Sequence, residues 1–593
     1  MLHVDRYGLA LTAGADAVAA YNRGIGHLLR LERGAVEAVA SAVALDPTFA
    51  LGHAALALLG HAGLCVEAQG VRLLLDPWVS RSGAFLGSWF PFPDNEHLPG
   101  PWLASADLVV VSHEHLDHLD LDFLAQLPAR VPIVVPRYPS TIIQRRLAAA
   151  GREQVIVLDA WERVRFGRDG WLTVIPEQCP MSHDAAVLVS VDGFSVLHTN
   201  DARISLAQTR RAVTEAGGPL SLMAVQMSGA SWHPVCYDYP PDVLAEVSER
   251  KRVAKFRAVT RLVRSVKPTM VLPYAGPPCF LDPALFELNA RLHGPDIFPD
   301  QHEALAWLRE RLPDQRSDYL LPGDSVRLGS GGIRRDPNWS SFRLDHTVEE
   351  RRRYLEAYAE RRRAAIDTVW AANPVPAADS GLGDAFRGHL ESLATLSSYF
   401  LARIGLLVRF RVLGPAGGTW DAHLGPDAVR VDLDGGRGPA DYEITVDGRW
   451  LAGVVSGRTR WEELLLSLRI SARREPDIYN DYLVGLLKHA DLAALRAVEA
   501  FEAARDPEDT FVLEHDGRML EVGRYCPHNG EDLTETGVVV DGTMHCLGHN
   551  FEFDLATGEC RNARCDPLPV REVDPAYSCR SASPTTNSPV STT

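Results

Sequence analysis

Apolar and polar positions along the chain change period several times, and each change marks a different kind of element. Within residues 1–57, Tyr21, Ile25, Leu28 and Leu29 follow helical spacing, and a second helical run from Ala35 to Leu45 stops at Asp46-Pro47. From residue 58 the pattern turns to short β-rich runs, LLGHAGLCVEA and VRLLLDPWV, joined by a tight QG turn. DLVVVSH, VPIVVP, QVIVLD, LTVIPE, AVLVSVDGFSVLHTND and LMAVQMS continue as strands, alternating with helical stretches such as LDFLAQL and STIIQRRLAAAG. Alternation of this kind predicts sheets covered by helices, an α/β domain over residues 58–340. It includes a long helix from about Pro241 to Val266, then the strand and turn TMVLPYAGPP.

Residues 341–508 read as an α+β accessory domain, with an Arg-rich helix, a Pro/Gly-punctuated strand region and the helices RWEELLLSLRI and DYLVGLLKHADLAALRAVEAFEAAR. The runs RRR at 351–353 and 361–363 sit at helical pairing distance from Glu349, Glu350, Glu356 and Glu360, which predicts a solvated, salt-bridged helix. Residues 509–576 form an all-β unit, and 577–593 are polar, low-complexity sequence expected to be disordered. The short helical N-terminus, with small residues between its two runs, resembles one tetratricopeptide unit. The fold class expected is thus multidomain α/β and β.

Composition narrows the partners. A chain of 593 residues is too long for one core. No apolar run reaches membrane length, and MLHVDRYGLA lacks the layout of a signal peptide, so the expectation is a cytoplasmic protein without a membrane partner. The net charge of -17 argues against nucleic acid. Nine cysteines, an odd number in so long a chain, do not make a disulfide scaffold.

Two constellations carry chemistry. The first, SHEHLDHLD, directly follows an apolar strand. A strand-end loop can aim His113 and His115 at one point, and Asp117 and His118 at a second beside it. Such a group holds two cations, or one cation and an activated water, and makes Asp117 and His118 the expected catalytic residues. The competing reading is a polar turn whose carboxylates pair with its histidines. Imidazoles and carboxylates suit zinc, iron or manganese alike.

The second constellation is Cys526-Pro527-His528, seventeen residues, then Cys546-Leu547-Gly548-His549. Cys526, His528, Cys546 and His549 are the ligand types of a Rieske [2Fe-2S] centre, two thiolates on one iron and two imidazoles on the other. A zinc finger would instead place its histidines together after the cysteines. Cys560 and Cys565, further on, read as ordinary core or surface residues.

The first motif resembles the metallo-β-lactamase superfamily, which implies an αββα sandwich with metals at the strand ends and further ligands downstream. On that resemblance His183 is the next ligating histidine, with Glu177 as its competitor, and Asp201 the bridging carboxylate; His233 and His302 are the alternatives for a final ligand. A one-electron cluster has no use in hydrolysis, so its simplest role is to supply a redox-active metal, which selects non-haem iron and O2. The pair resembles the CMP-N-acetylneuraminate hydroxylases. LLLDPWV, ADLVVVSHEHLDHL, HTNDA, SGAS, PYAG and REPDIYNDYL stand in the order found there, although the Rieske unit here is C-terminal. The resemblance implies a monooxygenase that takes electrons from an external reductase, ferredoxin or cytochrome, and hydroxylates a nucleotide-activated sugar or a natural-product intermediate. The alternative is a hydrolase of the lactonase or phosphoesterase type, with two divalent metals and a redox-sensing Rieske domain.

Overall fold

The computed structural model describes residues 3–4, 10–11, 19–20, 22, 55–228, 231–289, 298–329, 332–340, 342, 344, 347–426, 429–504, 509–528, 530–547 and 550–574. Most of the N-terminal extension, and therefore the expected tetratricopeptide-like pair, lies outside the described residues, as does the 577–593 tail. His3–Val4 and Ala10–Leu11 pair as a short antiparallel ladder, not as the expected helix. The first long strand, Ala55–Gly60, begins three residues before the expected boundary at 58.

Two sheets make the first domain. The larger has the order Ile333–Arg334, Ser325–Arg327, Ala55–Gly60, Gly63–Ala68, Val71–Leu75, Leu108–Val110, Ile133–Pro136, Val155–Leu158. The other runs Val164–Phe166, Gly170–Pro176, Ala185–Val191, Phe194–His198, Leu222–Gln226, Val271–Tyr274. Strand side chains alternate between faces. Leu73, Leu75, Leu108 and Val110 therefore point inward and meet Val187, Val189 and Val196 of the other sheet in one core. Leu74 and Val109 point outward beneath the helices Leu121–Gln126 and Ile142–Ala149. On the far side Leu188 and Leu197 pack against Ala212, Phe256, Val263 and Leu308 of three further helices. The result is the αββα sandwich, with the long helix at Pro241–Val266.

The accessory domain is a five-stranded sheet, Val429–Asp432, Gly418–Leu424, Leu406–Leu413, Tyr442–Asp447, Ile470–Arg474, with helices over it. It is tied to the sandwich by backbone bonds between Ala472 and the segment Cys236–Asp238 (2.7 and 3.0 Å). The Arg-rich helix Val348–Ala372 differs from expectation. Arg351 and Arg362 are buried and pair with Asp300 (2.8 Å) and Asp94 (3.0 Å) of the sandwich, so the helix straps the two domains together instead of standing in solvent. Only its outer residues, such as Arg363 with Glu360, keep the pairing within the helix that the sequence suggests.

The C-terminal unit consists of two three-stranded sheets around Leu520, Val522, Met544 and Phe553. Its strand Ala563–Arg564 pairs in parallel with Tyr479–Asn480 of the accessory domain. Arg261 to Glu531 (3.0 Å) and Arg210 to Glu535 (2.7 Å) add contacts with the sandwich. No helix among the described residues is long and apolar enough to cross a membrane.

Candidate metal centre and iron–sulfur site

Parallel pairing of Val71–Leu75 with Leu108–Val110 brings two strand ends side by side. Asp76, just past the first and at φ 45°, accepts from the backbone and hydroxyl of Ser112 (both 2.7 Å), just past the second. At the other end of the loop Asp120 caps the helix Leu121–Gln126 and also accepts from Val79 and Ser80 (2.9 and 2.7 Å). The segment 112–120 is thus held at both ends, which fixes the side chains between them.

Three overlapping groups of metal-donor atoms result: His113, His115 and Asp184; His61, Asp117 and His118; and His113, His118 and Asp201. Within each, the donors lie within 4.8 Å of one another. His113 Nε2 faces His115 Nδ1 at 2.9 Å and Asp184 at 3.6 Å. His61 Nε2 reaches Asp117 Oδ2 at 3.1 Å, and His118 Nε2 lies 3.5 Å from Asp201. A neighbouring cavity of about 60 Å³ is lined in part by His61, His115, Asp117, Asp201, Phe85 and Trp89. It has room for a few water-sized molecules, against the roughly 300 Å³ or more of an ordinary ligand pocket.

The electrostatics suit cations. His118 is fully buried, and neither ring nitrogen makes a hydrogen bond of normal geometry among the described residues; His61 Nδ1 and Asp117 Oδ1 are in the same condition. Such groups cost about 1–3 kcal/mol each when nothing meets them. Burial disfavours a charged His118, yet Asp117 and Asp201 outweigh it and hold its pKa well above the usual value. Burial and His118 push His113 down to about 4. For His115, burial is outweighed by Glu462, whose carboxylate 2.9 Å from Nε2 holds the pKa up at about 9. Asp76 lies between His118 Nδ1 (3.2 Å) and His198 Nε2 (3.1 Å), and the Tyr274 hydroxyl in turn touches His198 (2.7 Å). Outer partners of this kind orient a ligating imidazole.

Some expected ligands lie elsewhere. His183 is buried with its Nδ1 3.4 Å from Glu114 and its ring stacked on Tyr138, so it belongs to none of the three groups. The adjacent Asp184, one residue before the strand Ala185–Val191, stands instead with His113 and His115. Glu177 accepts from the Arg203 backbone (2.6 Å) and is pushed up to about 7 by burial and by Asp184. His233 contacts Tyr239 (3.1 Å) and Arg474 (3.2 Å), and His302 stands in the first turn of the helix Gln301–Arg311; neither joins the groups. The sequence reading did not single out His61 and Asp184, which stand in these groups, or Asp76, which lies between His118 and His198. The signal for His61 was a lone polar side chain inside the apolar hairpin LLGHAGL, where it occupies the turn at φ 47°.

In the C-terminal unit Cys526 and Cys546 are fully buried, and each carbonyl accepts from the residue four further on, Gly530 (2.9 Å) and Asn550 (2.7 Å). Gly530 and Asn550 both have left-handed backbones, φ 79° and 59°, so the two loops reverse in the same manner. His528 Nε2 stands 3.2 Å from Asp481 Oδ2 of the accessory domain. His549 lies outside the described residues. Cys560 and Cys565 are half-buried members of the same core.

The fold and the two sites define a metallo-β-lactamase-fold protein with a C-terminal Rieske domain. Residues 71–207 match the beta-lactamase superfamily domain, and 486–572 match the Rieske [2Fe-2S] domain. A relative from Mycolicibacterium smegmatis, described as a Rieske 2Fe-2S iron-sulfur protein, is 30% identical over 544 residues, covering 86% of this chain and 99% of that one. The chain belongs to this family of Rieske 2Fe-2S iron-sulfur proteins. Its counterpart in Mycobacterium tuberculosis is 29% identical, over 85% of this chain and 97% of its own. The cytidine monophosphate-N-acetylneuraminic acid hydroxylase of Pan troglodytes is 26% identical over 247 residues, 38% of this chain and 39% of that protein. Among solved structures, CmlA, a diiron beta-hydroxylase from Streptomyces venezuelae, is 18% identical over 52% of this chain and 63% of that one, with a TM-score of 0.31.

Proposed function

We propose that this chain is a Rieske-coupled non-haem iron monooxygenase in which Cys526, His528, Cys546 and His549 hold the [2Fe-2S] cluster. His113, His115, Asp117, His118, Asp184 and Asp201, joined by His61, hold the iron. The observation that supports this reading most is the continuous contact between the two sites. Asp481, which meets His528, is the first residue of the helix Asp481–His489. At its other end Lys488 pairs with Glu462 (3.2 Å), and Glu462 holds His115. His489 lies against His183, ring centroids 4.6 Å apart, and His183 meets Glu114 of the metal loop. Nine helical residues span about 13 Å at 1.5 Å each.

Iron at the first site, when bound, activates O2 with electrons that the cluster supplies singly. The overall balance is R–H plus O2, two electrons and two protons giving R–OH and water, the electrons coming from an external reductase, ferredoxin or cytochrome. The protein's own part is orientation and exclusion. Glu462 holds the ring of His115 by a hydrogen bond, and Asp76 stands 3.2 Å from Nδ1 of His118. Phe85 and Trp89 form an apolar wall on the cavity. The substrate proposed is a nucleotide-activated sugar or a natural-product intermediate, by likeness to the hydroxylase named above.

Metal analysis of the purified protein tests this. Iron beyond that of the cluster is expected, and it disappears in His113→Ala while the cluster's spectrum persists. Zinc or manganese at the first site, with hydrolysis that proceeds without O2, is the result that favours the hydrolase reading instead.

A further inference from the structure

Four cations gather beside the metal groups, and only one of them, Arg474, has its side chain paired with a carboxylate among the described residues. Lys251 and Lys255 are one turn apart on the helix Pro241–Val266, a spacing at which like charges repel. Lys251 Nζ donates to the His233 carbonyl (2.6 Å) and Lys255 Nζ to Gln226 Oε1 (2.5 Å). No carboxylate oxygen among the described residues lies within 4.0 Å of either ammonium or of the Arg203 guanidinium. The fourth cation, Arg474, is 9% exposed. Its Nε meets Asp477 (2.5 Å) and its Nη2 the His233 ring (3.2 Å), but its buried Nη1 has no hydrogen-bond partner among the described residues.

The group is tied together and to the metal site. His233 joins Lys251 to Arg474 through its carbonyl and its ring. The Gln226 amide accepts from Lys255 and donates to Asp201, and Gln226 also lines the metal-site cavity. Arg203 follows Asp201 by two residues. Arg203 and Lys251 are exposed and Lys255 half-buried, so a solute reaches all three. Surrounding protein and the Arg203 charge push Lys251 down to about 7 and Lys255 to about 8, although Asp201, Glu177 and Asp184 act on Lys255 in the opposite direction.

We propose that Arg203, Lys251, Lys255 and Arg474 form a binding site for an anionic group of the substrate, a carboxylate or a phosphoryl. Such a group would neutralise the cations, and its charge-assisted bonds would hold the rest of the substrate one glutamine side chain away from the metals. The link to substrate rests on the oxygenase reading; the binding of an anion does not.

The test is therefore made on resting full-length protein, without reductant and whatever metal the first site holds. Amine labelling of Lys251 and Lys255 at pH 8 is followed by peptide mass spectrometry with inorganic phosphate, with propionate, and with neither. Protection of both lysines by phosphate identifies a phosphoryl group, and protection by propionate a carboxylate. Lys255→Met is expected to weaken that anion about tenfold, while Lys255→Arg retains it. Intact cluster absorbance reports that each variant is folded. If neither anion slows labelling, or if both Lys251→Met and Lys255→Met bind it as the wild type does, the proposal is overturned even if oxygenase activity is found.

Discussion

A shift of one position in the chain separates His183, held by Glu114 and Tyr138, from Asp184, which faces His113 and His115. Asp184→Asn is therefore expected to weaken metal binding at the first site about 10–100-fold, the usual range for disturbing a ligand or its support. His183→Gln is expected to keep the metal and to lose about 1–3 kcal/mol of stability through Glu114. Metal content and thermal unfolding of the two variants check both statements, and the reverse pattern would restore His183 as a ligand. His113, His115, Asp117 and His118 were legible in the sequence because their spacing is local to one loop. Asp184, Asp76 and His61 were not, since each reaches the cluster through strand pairing that spacing alone does not encode. His183 stands apart from the three donor groups, and a buried imidazole with a carboxylate partner has the same sequence signature as a ligating one.

At the scale of elements, the alternation of Leu73, Leu74 and Leu75 between two cores, and of Leu108, Val109 and Val110, is what makes the sandwich readable from the pattern of apolar residues. The Arg-rich helix shows where that reading stops. Charge pattern revealed that its arginines would pair, but not that Arg351 would find Asp300 some fifty residues away, with both side chains buried. Removing one partner of a buried pair leaves the other uncompensated, so Asp300→Ala is expected to cost about 3–5 kcal/mol. Glu360→Ala, which breaks a pair exposed to solvent, is expected to leave the denaturation midpoint unchanged. Chemical denaturation distinguishes the two, and equal effects would contradict the role of this helix as a strap between domains.

Over the whole molecule, the proposed electron transfer requires the C-terminal Rieske domain to dock with His528 towards the metal-donor groups of the sandwich. Here the ladder between Tyr479–Asn480 and Ala563–Arg564, with the pairs Arg261–Glu531 and Arg210–Glu535, turns His528 onto Asp481. Reversing the charges of Arg261 and Arg210 to Glu is expected to leave the cluster's spectrum intact and to slow electron transfer to the first site about tenfold or more. Stopped-flow absorbance of the cluster measures this, and an unchanged rate would mean that the docking contacts do not serve the transfer. Such contacts lie between residues hundreds of positions apart, so the presence of both domains could be read from their motifs while their mutual orientation could not.

The central claim is that electrons leave the cluster for the metal held around His113 to His118. The most direct measurement reduces the protein anaerobically, mixes it with O2 and follows the cluster by freeze-quench electron paramagnetic resonance, for wild type and for His113→Ala. The account predicts fast loss of the reduced-cluster signal in the wild type and a persistent signal in His113→Ala. Equal rates in the two proteins would contradict it.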